Sequence, residues 1–450
     1  MVQEKPVNNN NNFSSRIKII FRSLQYRNYR LFFSGQSISL IGTWMQRIAM
    51  PWLVYHMTGS AFLLGVVSFA GQIPTLLLAP VAGVITDRFN RYKVLLITQI
   101  VSLVQALILA ILTLAGVIEI WHLVSLSIAL GCINAFDMPA RHSFVVDMVE
   151  KKEDIGNAIA LNSLMFNGAR LIGPSLAGLL LATAGEGICF LINAVSYIFV
   201  ITSLFMMHVQ KREVQRKESH VFKDLKEGFN YTFGFAPIKH LLLLLGLVSL
   251  MGSSYQVLMP VYAKEILHGG SQTFGFMMGA AGLGALLGAI YLASRETLLK
   301  LGRLIPIAAA LFGLSLVILA FSRFFMLSAV VLVFAGTGMM LHTAASNTIL
   351  QTITDDDKRG RVMSFYTLAI VGTAPFGSLL AGTLANLIGT PATIFIGGTA
   401  CFTGALIFLK KLPELKNIVR PVYVKMGIIP EVAAGIQTAT EPAAETPDIT

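Results

Sequence analysis

The chain has 450 residues, of which 55% are hydrophobic and 13% are charged, and it carries a net charge of +11. A soluble domain has about 25% charged residues, and a single soluble core stops growing at about 250–300 residues. The composition therefore excludes one large soluble domain and indicates an integral membrane protein. The cysteines form no CxxC pair and no Cys/His cluster, so we expect neither a disulfide framework nor a metal site; they are Cys132, Cys189 and Cys401.

Twelve apolar runs follow one another, each long enough to cross a bilayer as a helix of about 20 residues. Their centres lie near residues 43, 74, 105, 130, 170, 198, 251, 283, 311, 337, 372 and 400. The pattern predicts an all-α integral membrane protein with 12 transmembrane helices. Its predicted parts are a basic N-terminal arm (1–28), a six-helix bundle (29–208), a polar linker (209–238), a second six-helix bundle (239–411) and a largely disordered tail (412–450).

Positive charge is divided unequally between the two ends of these spans. Of the 34 lysines and arginines, 30 fall in the arm, the even-numbered connections and the tail. Cytoplasmic loops hold the excess of Lys and Arg, so both termini are predicted to be cytoplasmic. This asymmetry accounts for the net positive charge, so a nucleic-acid partner is not expected. The expected surroundings of the chain are a lipid bilayer.

The first span carries a charge near its middle, at Arg47. A charge at the centre of a span costs about 2.5–3.5 kcal/mol on the insertion scale and usually faces a cavity or a partner. Gln36, Thr43 and Arg47 share one face of a helix with 3.6 residues per turn, which indicates a water-filled pathway. Either Arg47 contacts an anionic or hydrogen-bonding substrate, or it forms hydrogen bonds between helices.

The connection after the second span reads GVITDRFNRYK, residues 83–93. The basic residues Arg88, Arg91 and Lys93 are explained by topology alone, since they lie at a cytoplasmic turn. Topology does not explain the acid Asp87, because acidic residues contribute little to the orientation of the spans. A carboxylate at the edge of the low-dielectric region needs a cation or a helix N-terminus, which carries about half a positive charge.

Spans four and five add further polar groups. Asn134 lies within span four, and Asp137 lies near its end. Arg170 lies near the middle of span five and shares a face with Ser163 and Asn167. The two interpretations given for Arg47, substrate contact or helix-to-helix hydrogen bonding, apply equally to Arg170.

Span seven begins the second half and contains SSYQVLMP, in which Pro260 is expected to break the helix. Its polar residues Tyr255 and Gln256 either line a cavity or bond neighbouring helices. Later in this half His342 lies within an apolar span, where a histidine is more often a packing residue than a proton carrier. His122 is interpreted in the same way, and the acids at the outer turns, Glu119, Glu186 and Glu265, are expected to be solvated.

The two halves repeat a pattern. PARHSFVVDMV (139–149) and SNTILQTITDDDKRGR (346–361) both follow a span, pass through an acidic and basic connection, and lead into a span with a SLAG or SLLAG step. Two parallel six-helix repeats around a site near the bilayer midplane are typical of secondary transporters.

Gly83-x-x-x-Asp87-Arg88-x-Asn90-Arg91 resembles the loop signature of the major facilitator superfamily. Asn90 stands where the family has Gly, and Asn is the non-glycine residue that best adopts a left-handed turn. In span five, Gly173-Pro174-x-x-x-Gly178 resembles the Gly-Pro step of the superfamily's antiporter branch. GTWMQRIAMPWLVYHMTGS (42–60) and NAFDMPARHSFVVDMV (134–149) are similar to the bacterial drug and siderophore exporters that include the enterobactin exporter, the transmembrane secretion effector type.

The resemblance implies a fold of two parallel six-helix bundles and a cytoplasmic gate. In that gate Asp87 packs against the start of span eleven, and Arg91 reaches the acid that closes span four, Asp137. The alternative is that the loop is only a topology signal. The resemblance also implies proton antiport, yet the first span has Thr43 where such exporters often carry an acid.

These observations predict a non-enzymatic secondary transporter in a bacterial inner membrane. It would export a small amphipathic molecule, such as a drug, siderophore or metabolite, by rocker-switch alternating access, as a monomer and without a cofactor, driven by the proton gradient. Two alternatives stay open: a receptor or scaffold that kept the fold without transporting, and an uptake transporter. The sequence contains no HExxH, GxSxG or P-loop pattern that would indicate an enzyme or an ATP-driven pump.

Overall fold

The computed structural model describes residues 21–208, 221–253, 255–295, 301–355 and 357–425, and these residues form helices and short connections without a strand. The first part comprises α1 (Arg27–Thr58), α2 (Ala61–Arg88), α3 (Arg91–Leu114), α4 (Ile120–Asp147) and α5 (Lys152–Phe205). The second comprises α6 (Val221–Gly234), α7 (Ala236–Leu247), α8 (Tyr255–Val261), α9 (Ser271–Ala293), α10 (Leu301–Phe321), α11 (Phe325–Ile353), α12 (Arg359–Thr367), α13 (Ala374–Ile388) and α14 (Thr390–Lys425).

Ten helices in the described part of the chain are long and apolar enough to cross a membrane. The 54-residue α5 counts once among them, although a straight helix of that length would extend about 80 Å, more than twice the hydrocarbon thickness. It is broken at Gly185, whose φ of 78° suits only glycine. The first helix, α1, is outside the ten because polar side chains, Arg47 among them, interrupt its apolar surface.

Two spans of the second half are not regular α-helices. Three segments are π-helical: Val248–Gly252 lies between α7 and α8, Tyr262–Ile266 follows α8, and Leu368–Gly372 lies between α12 and α13. Pro260 lies inside α8, so the irregular turns flank this proline on both sides. Such π-bulges are frequent at functional sites.

The helices pack into two bundles, α1–α5 and α7–α14. In the first, α1 and α3 pack against α5, and α2 packs against α4; in the second, α10 packs against α11 and α14, and α9 packs against α11. The bundles meet along two helix pairs, α5 with α9 and α2 with α13. We call the end of the molecule near residues 21, 150, 295 and 425 the terminal side, and the end near 59, 185, 268 and 389 the opposite side.

The observed helices differ from the predicted domain limits at two places. Helix α6 and the start of α7 lie inside the predicted linker 209–238, and α14 continues to Lys425, beyond the predicted bundle end at 411. The continuation is amphipathic, because Leu412, Leu415 and Val419 recur at helical spacing and are buried. Residues 1–20, 209–220 and 426–450 of the predicted arm, linker and tail lie outside the described residues.

Candidate functional site

Three arginines of the first bundle lie close together in its interior. The guanidinium carbon of Arg47 is 4.9 Å from the ring centroid of Trp44. Arg47 interacts electrostatically with Arg170 and Tyr197, which lie on the two halves of α5, and with Arg141 of α4. Groups from three helices thus surround Arg47, yet its side chain is exposed. It faces a solvent-accessible space inside the protein, as its position on the polar face of α1 predicts.

The second bundle also contributes to this space. The guanidinium carbon of Arg170 is 5.8 Å from the same Trp44 ring and interacts electrostatically with Tyr255 of α8. Tyr255 is buried and packs edge-on against Phe312, with 6.1 Å between ring centroids. The structure therefore brings together the predicted residues Arg47, Arg170 and Tyr255 at the junction of the bundles.

Asp137 is a buried carboxylate on α4 with three donors. It accepts hydrogen bonds from Thr98 Oγ1 at 3.0 Å and Gln99 Nε2 at 2.6 Å, and it forms an ion pair with Arg141 one helical turn away. The resemblance assigned the partner Arg91 to this acid. In the structure Arg91 Nη1 instead donates to Asp147 at 3.1 Å, because Asp147 ends α4 beside the start of α3.

The rest of the loop signature is described in part. The side chains of Asp87 and Arg88 lie outside the described residues. Asn90 is extended, with φ −65° and ψ 112°, rather than left-handed as we expected from its place in the signature. Its Oδ1 accepts from the backbone N–H of Tyr92 at 3.0 Å, so it caps the N-terminus of α3. Among described residues, nothing lies within 4 Å of a Cβ built on Gly83.

The Gly-Pro step of α5 lies at two helix contacts. A Cβ on Gly173 would lie 3.2 Å from the carbonyl oxygen of Ile41, so this glycine lets α1 bring Trp44 close to Arg170. A Cβ on Gly178 would lie 2.8 Å from the Cα of Gly275 in α9. Pro174 lies between them, inside the helix. The step thus sets two close approaches, one inside the first bundle and one between the bundles.

The other predicted pathway residues have mixed environments. Thr43 Oγ1 donates to the Ser39 carbonyl and lies 3.4 Å from the Tyr197 hydroxyl, beside the arginines. Gln36 is buried, and its Oε1 has no hydrogen-bond partner among the described residues. Asn134 and Gln256 are half-buried, and Asn167 Nδ2 bonds its own helix at the Ser163 carbonyl, 2.9 Å away.

Contacts between the bundles concentrate in the half of the molecule toward the opposite side. The Tyr55 hydroxyl donates to Glu265, which is exposed as the sequence predicts. Trp52 stacks on Phe274 with 6.0 Å between ring centroids. Deeper in the same half, Gln72 Nε2 donates to Ser378 Oγ at 3.2 Å, and other close pairs are Gly65 with Gly382 and Phe69 with Phe376.

Toward the terminal side, the contacts between α5 and α9 that the described residues show reach as far as Gly282, which meets the backbone of Arg170. Among the described residues, nothing lies within 4 Å of a Cβ placed on Gly168, which is on the terminal side of Arg170. The same holds for Gly83 near the end of α2. The described contacts between the bundles therefore lie at the level of Arg170 and toward the opposite side.

Three residues of the site escaped the sequence analysis: Trp44, Arg141 and Tyr197. Arg141 was counted among the charges of a cytoplasmic turn, although it is half-buried within α4. Its spacing of four residues from Asp137 is the signal that could have identified an ion pair on one helix face. Trp44 lies three residues before Arg47, which also puts the two on one face. Tyr197 had no comparable local signal.

The chain is similar to known membrane transporters over most of its length. A family model described as transmembrane secretion effector matches residues 20–434. The staphyloferrin A transporter of Staphylococcus aureus is 26% identical over 390 residues, which cover 86% of this chain and 97% of that protein. The multidrug efflux pump Tap of Mycolicibacterium fortuitum is 24% identical, covering 83% and 93%. The enterobactin exporter EntS of Citrobacter koseri is 24% identical, covering 87% and 94%.

Among solved structures, the POT family transporter PepTSo superposes with a TM-score of 0.67 at 15% identity. The match covers 87% of this chain and 99% of that one. At this identity the likeness concerns the fold alone: a helical membrane transporter fold.

Proposed function

The chain belongs to the transmembrane secretion effector family of the major facilitator superfamily, and from that premise we propose that it exports a small amphipathic molecule in exchange for protons. It is a multi-pass transporter of the bacterial cytoplasmic membrane, and the relatives named above are transporters.

We propose twelve crossings with both termini in the cytoplasm. The ten apolar helices become twelve when α5 is divided at Gly185 and α1 is added. The division is supported by Arg170 and Tyr197, which lie on different halves of α5 and both interact with Arg47. The terminal side then holds the excess of Lys and Arg and faces the cytoplasm.

One observation carries the proposed mechanism: the arginine site, formed by Arg47, Arg141 and Arg170, lies at the junction of two bundles whose described contacts are at its level and toward the opposite side. With the termini in the cytoplasm, this is an inward-open state. Rocking of one bundle against the other would open the Tyr55–Glu265 side and close the cytoplasmic side. In that second state Asp87 and Arg91 would act as the gate, with Asp137 as the acid of span four. The protein would work as a monomer, with the proton gradient as its only energy source.

The test is proton flux in inside-out membrane vesicles that contain the protein and a pH-sensitive dye. After the vesicles are energised, drugs, siderophores and organic anions are added one at a time. We expect one class of compound to release protons from the vesicles. Asp87→Asn should abolish this release while the protein still inserts and melts cooperatively.

The matched control is Glu414→Gln, which removes a carboxylate from the exposed surface of α14. Release by this variant should equal that of the unchanged protein. If Asp87→Asn transports normally, the gate is refuted. If no compound releases protons from vesicles that contain folded protein, proton-coupled export is refuted.

A further inference from the structure

The arginine site carries a surplus of positive charge within the membrane-spanning part of the protein. It contains three guanidinium groups, from Arg47, Arg141 and Arg170, and one carboxylate, from Asp137. Asp137 is committed to Arg141 by an ion pair. Among the described residues, no carboxylate lies within ion-pair distance of Arg47 or Arg170. The site therefore holds two positive charges that have no carboxylate partner among the described residues.

These two charges repel each other and are still held close together. Arg47 and Arg170 interact electrostatically with like sign and flank one tryptophan ring, Trp44, at 4.9 and 5.8 Å. A purely structural pair of arginines in a membrane protein is expected to bond carbonyl groups or acids. Neither guanidinium has a hydrogen bond to the described part of the chain. Like charges that have no counterion in the described part of the chain indicate that the counterion comes from solution.

The third component is an aromatic surface beside the charges. Trp44 is half-buried on α1, and Phe166 of α5 packs edge-on against it with 5.7 Å between ring centroids. Gly173 makes room for this arrangement, because a side chain there would meet the backbone at Ile41. Arginines supply the forked donors that match carboxylate and similar groups, and Trp44 supplies a flat apolar surface for the rest of a ligand.

We propose that the substrate bound at this site is an organic anion with a planar or apolar body. The location of the site rests on the proposed function. Arg47 and Arg170 bind the anionic group, and Trp44 contacts the body. Arg141 is held by Asp137 and adds positive potential without binding the anion directly. Neutral or cationic amphipathic compounds of the same shape are then poor substrates.

The test compares three compounds that share one ring system and differ in charge: 2-naphthoate, 2-naphthamide and 2-naphthylmethylammonium. Binding to the purified full-length protein in detergent is measured by calorimetry. We expect the acid to bind about tenfold or more tightly than the amide, as hydrogen bonds to a charged group allow. The ammonium compound should bind more weakly than the amide, because the site repels it.

Variants assign the preference to the two arginines. In Arg47→Gln and in Arg170→Gln the acid and the amide should bind with similar affinity. Arg303→Gln removes an exposed arginine at the terminal end of α10 and should keep the full preference for the acid. Arg47→Lys should keep part of it, because the charge remains while the forked geometry is lost.

A thermal melt separates the binding role from a structural one. Removal of an uncompensated charge should leave the melting temperature of Arg47→Gln unchanged or raise it, whereas loss of a structural hydrogen bond would lower it. A lowered melting temperature, equal binding of acid and ammonium compound, or no binding of the acid would overturn the proposal.

No ion gradient is involved, so the two proposals fail independently. A protein that binds the acid but moves no substrate contradicts export and leaves the anion site standing. A protein that moves protons only with neutral or cationic compounds contradicts the anion site and leaves export standing.

Discussion

The ion pair between Asp137 and Arg141 gives the most quantitative expectation. The side chain of Asp137 is 3% exposed and that of Arg141 is 20% exposed, so water compensates little when one partner is removed. Breaking a buried pair by removing one partner costs about 3–5 kcal/mol of the free energy of unfolding. The two single variants should nevertheless differ, because the surrounding charges are unequal.

Asp137→Asn leaves Arg141 without a counterion beside Arg47 and raises the surplus at the site from two positive charges to three. We expect this variant to lose about 5 kcal/mol of the free energy of unfolding, the upper end of the range for a broken buried pair. Arg141→Gln lowers the surplus to one, and the carboxylate of Asp137 keeps its bonds from Thr98 and Gln99. The Arg141→Gln variant should lose about 3 kcal/mol or less of the free energy of unfolding. The double variant removes both charges and should cost clearly less than the sum of the two single losses.

The assay is unfolding in mixed micelles, followed by the reaction of a thiol reagent with Cys189 and Cys401. Both cysteines are buried and free, and they lie in different bundles. This expectation is wrong if Asp137→Asn lowers the free energy of unfolding by less than about 1 kcal/mol. It is also wrong if the decreases in the two single variants add fully in the double variant. Either result would mean that water already screens the pair.

A Cβ on Gly275 would lie 2.6 Å from the backbone of α5, so we expect Gly275→Ala to hold the bundles apart and to abolish vesicle transport with normal insertion; normal transport would contradict this. Tyr55→Phe removes the hydrogen bond to Glu265, worth about 1.5–3 kcal/mol with a charged acceptor. Spin labels across the opposite side should then show a larger open population, and unchanged distances would contradict this. The hydrogen bond to Asp154 raises the pKa of Tyr26 above its usual value of 10.0. Its contribution to stability is present below about pH 10 and is lost as the pH rises through the raised pKa. Melting curves of the unchanged protein and Tyr26→Phe should therefore differ below pH 10 and converge above it; a constant difference would contradict this.

The course of the spans could be predicted from the sequence because lipid leaves few alternatives. A backbone in hydrocarbon must satisfy its own hydrogen bonds, so an apolar run of sufficient length becomes a helix. This reasoning also separates the runs centred near 170 and 198, between which Gly185 breaks α5. It fails for the end of α14, since an amphipathic extension along a bundle surface lacks the continuous apolar run that identifies a span.

The site could be predicted only as a set of separate polar residues. Arg47 and Arg170 were conspicuous because each stands alone in an apolar run, and charge in a span demands a reason. Their common neighbour Trp44 depends on how α1 and α5 pack, which Gly173 decides by a close approach that no periodicity reveals. Arg141 was missed because counting charges by connection assigns every arginine near the end of a span to topology.

A site with surplus positive charge also suits the electrical conditions of the proposed export. An interior-negative membrane potential drives an anion outward by about 2.3 kcal/mol per charge for each 100 mV. Exchange of one outgoing monovalent anion for one incoming proton would move two charges in the favoured directions, whereas exchange of a monovalent cation for a proton would move none. The empty site carries two positive charges that have no carboxylate partner among the described residues, which favours a wet space open to the side where substrate is loaded. Binding of an anion relieves that charge, and the loaded site then crosses a dry intermediate at lower cost than the empty one. The charges that make Arg47 and Arg170 costly in a span would thereby favour crossing of the substrate-loaded site over crossing of the empty one.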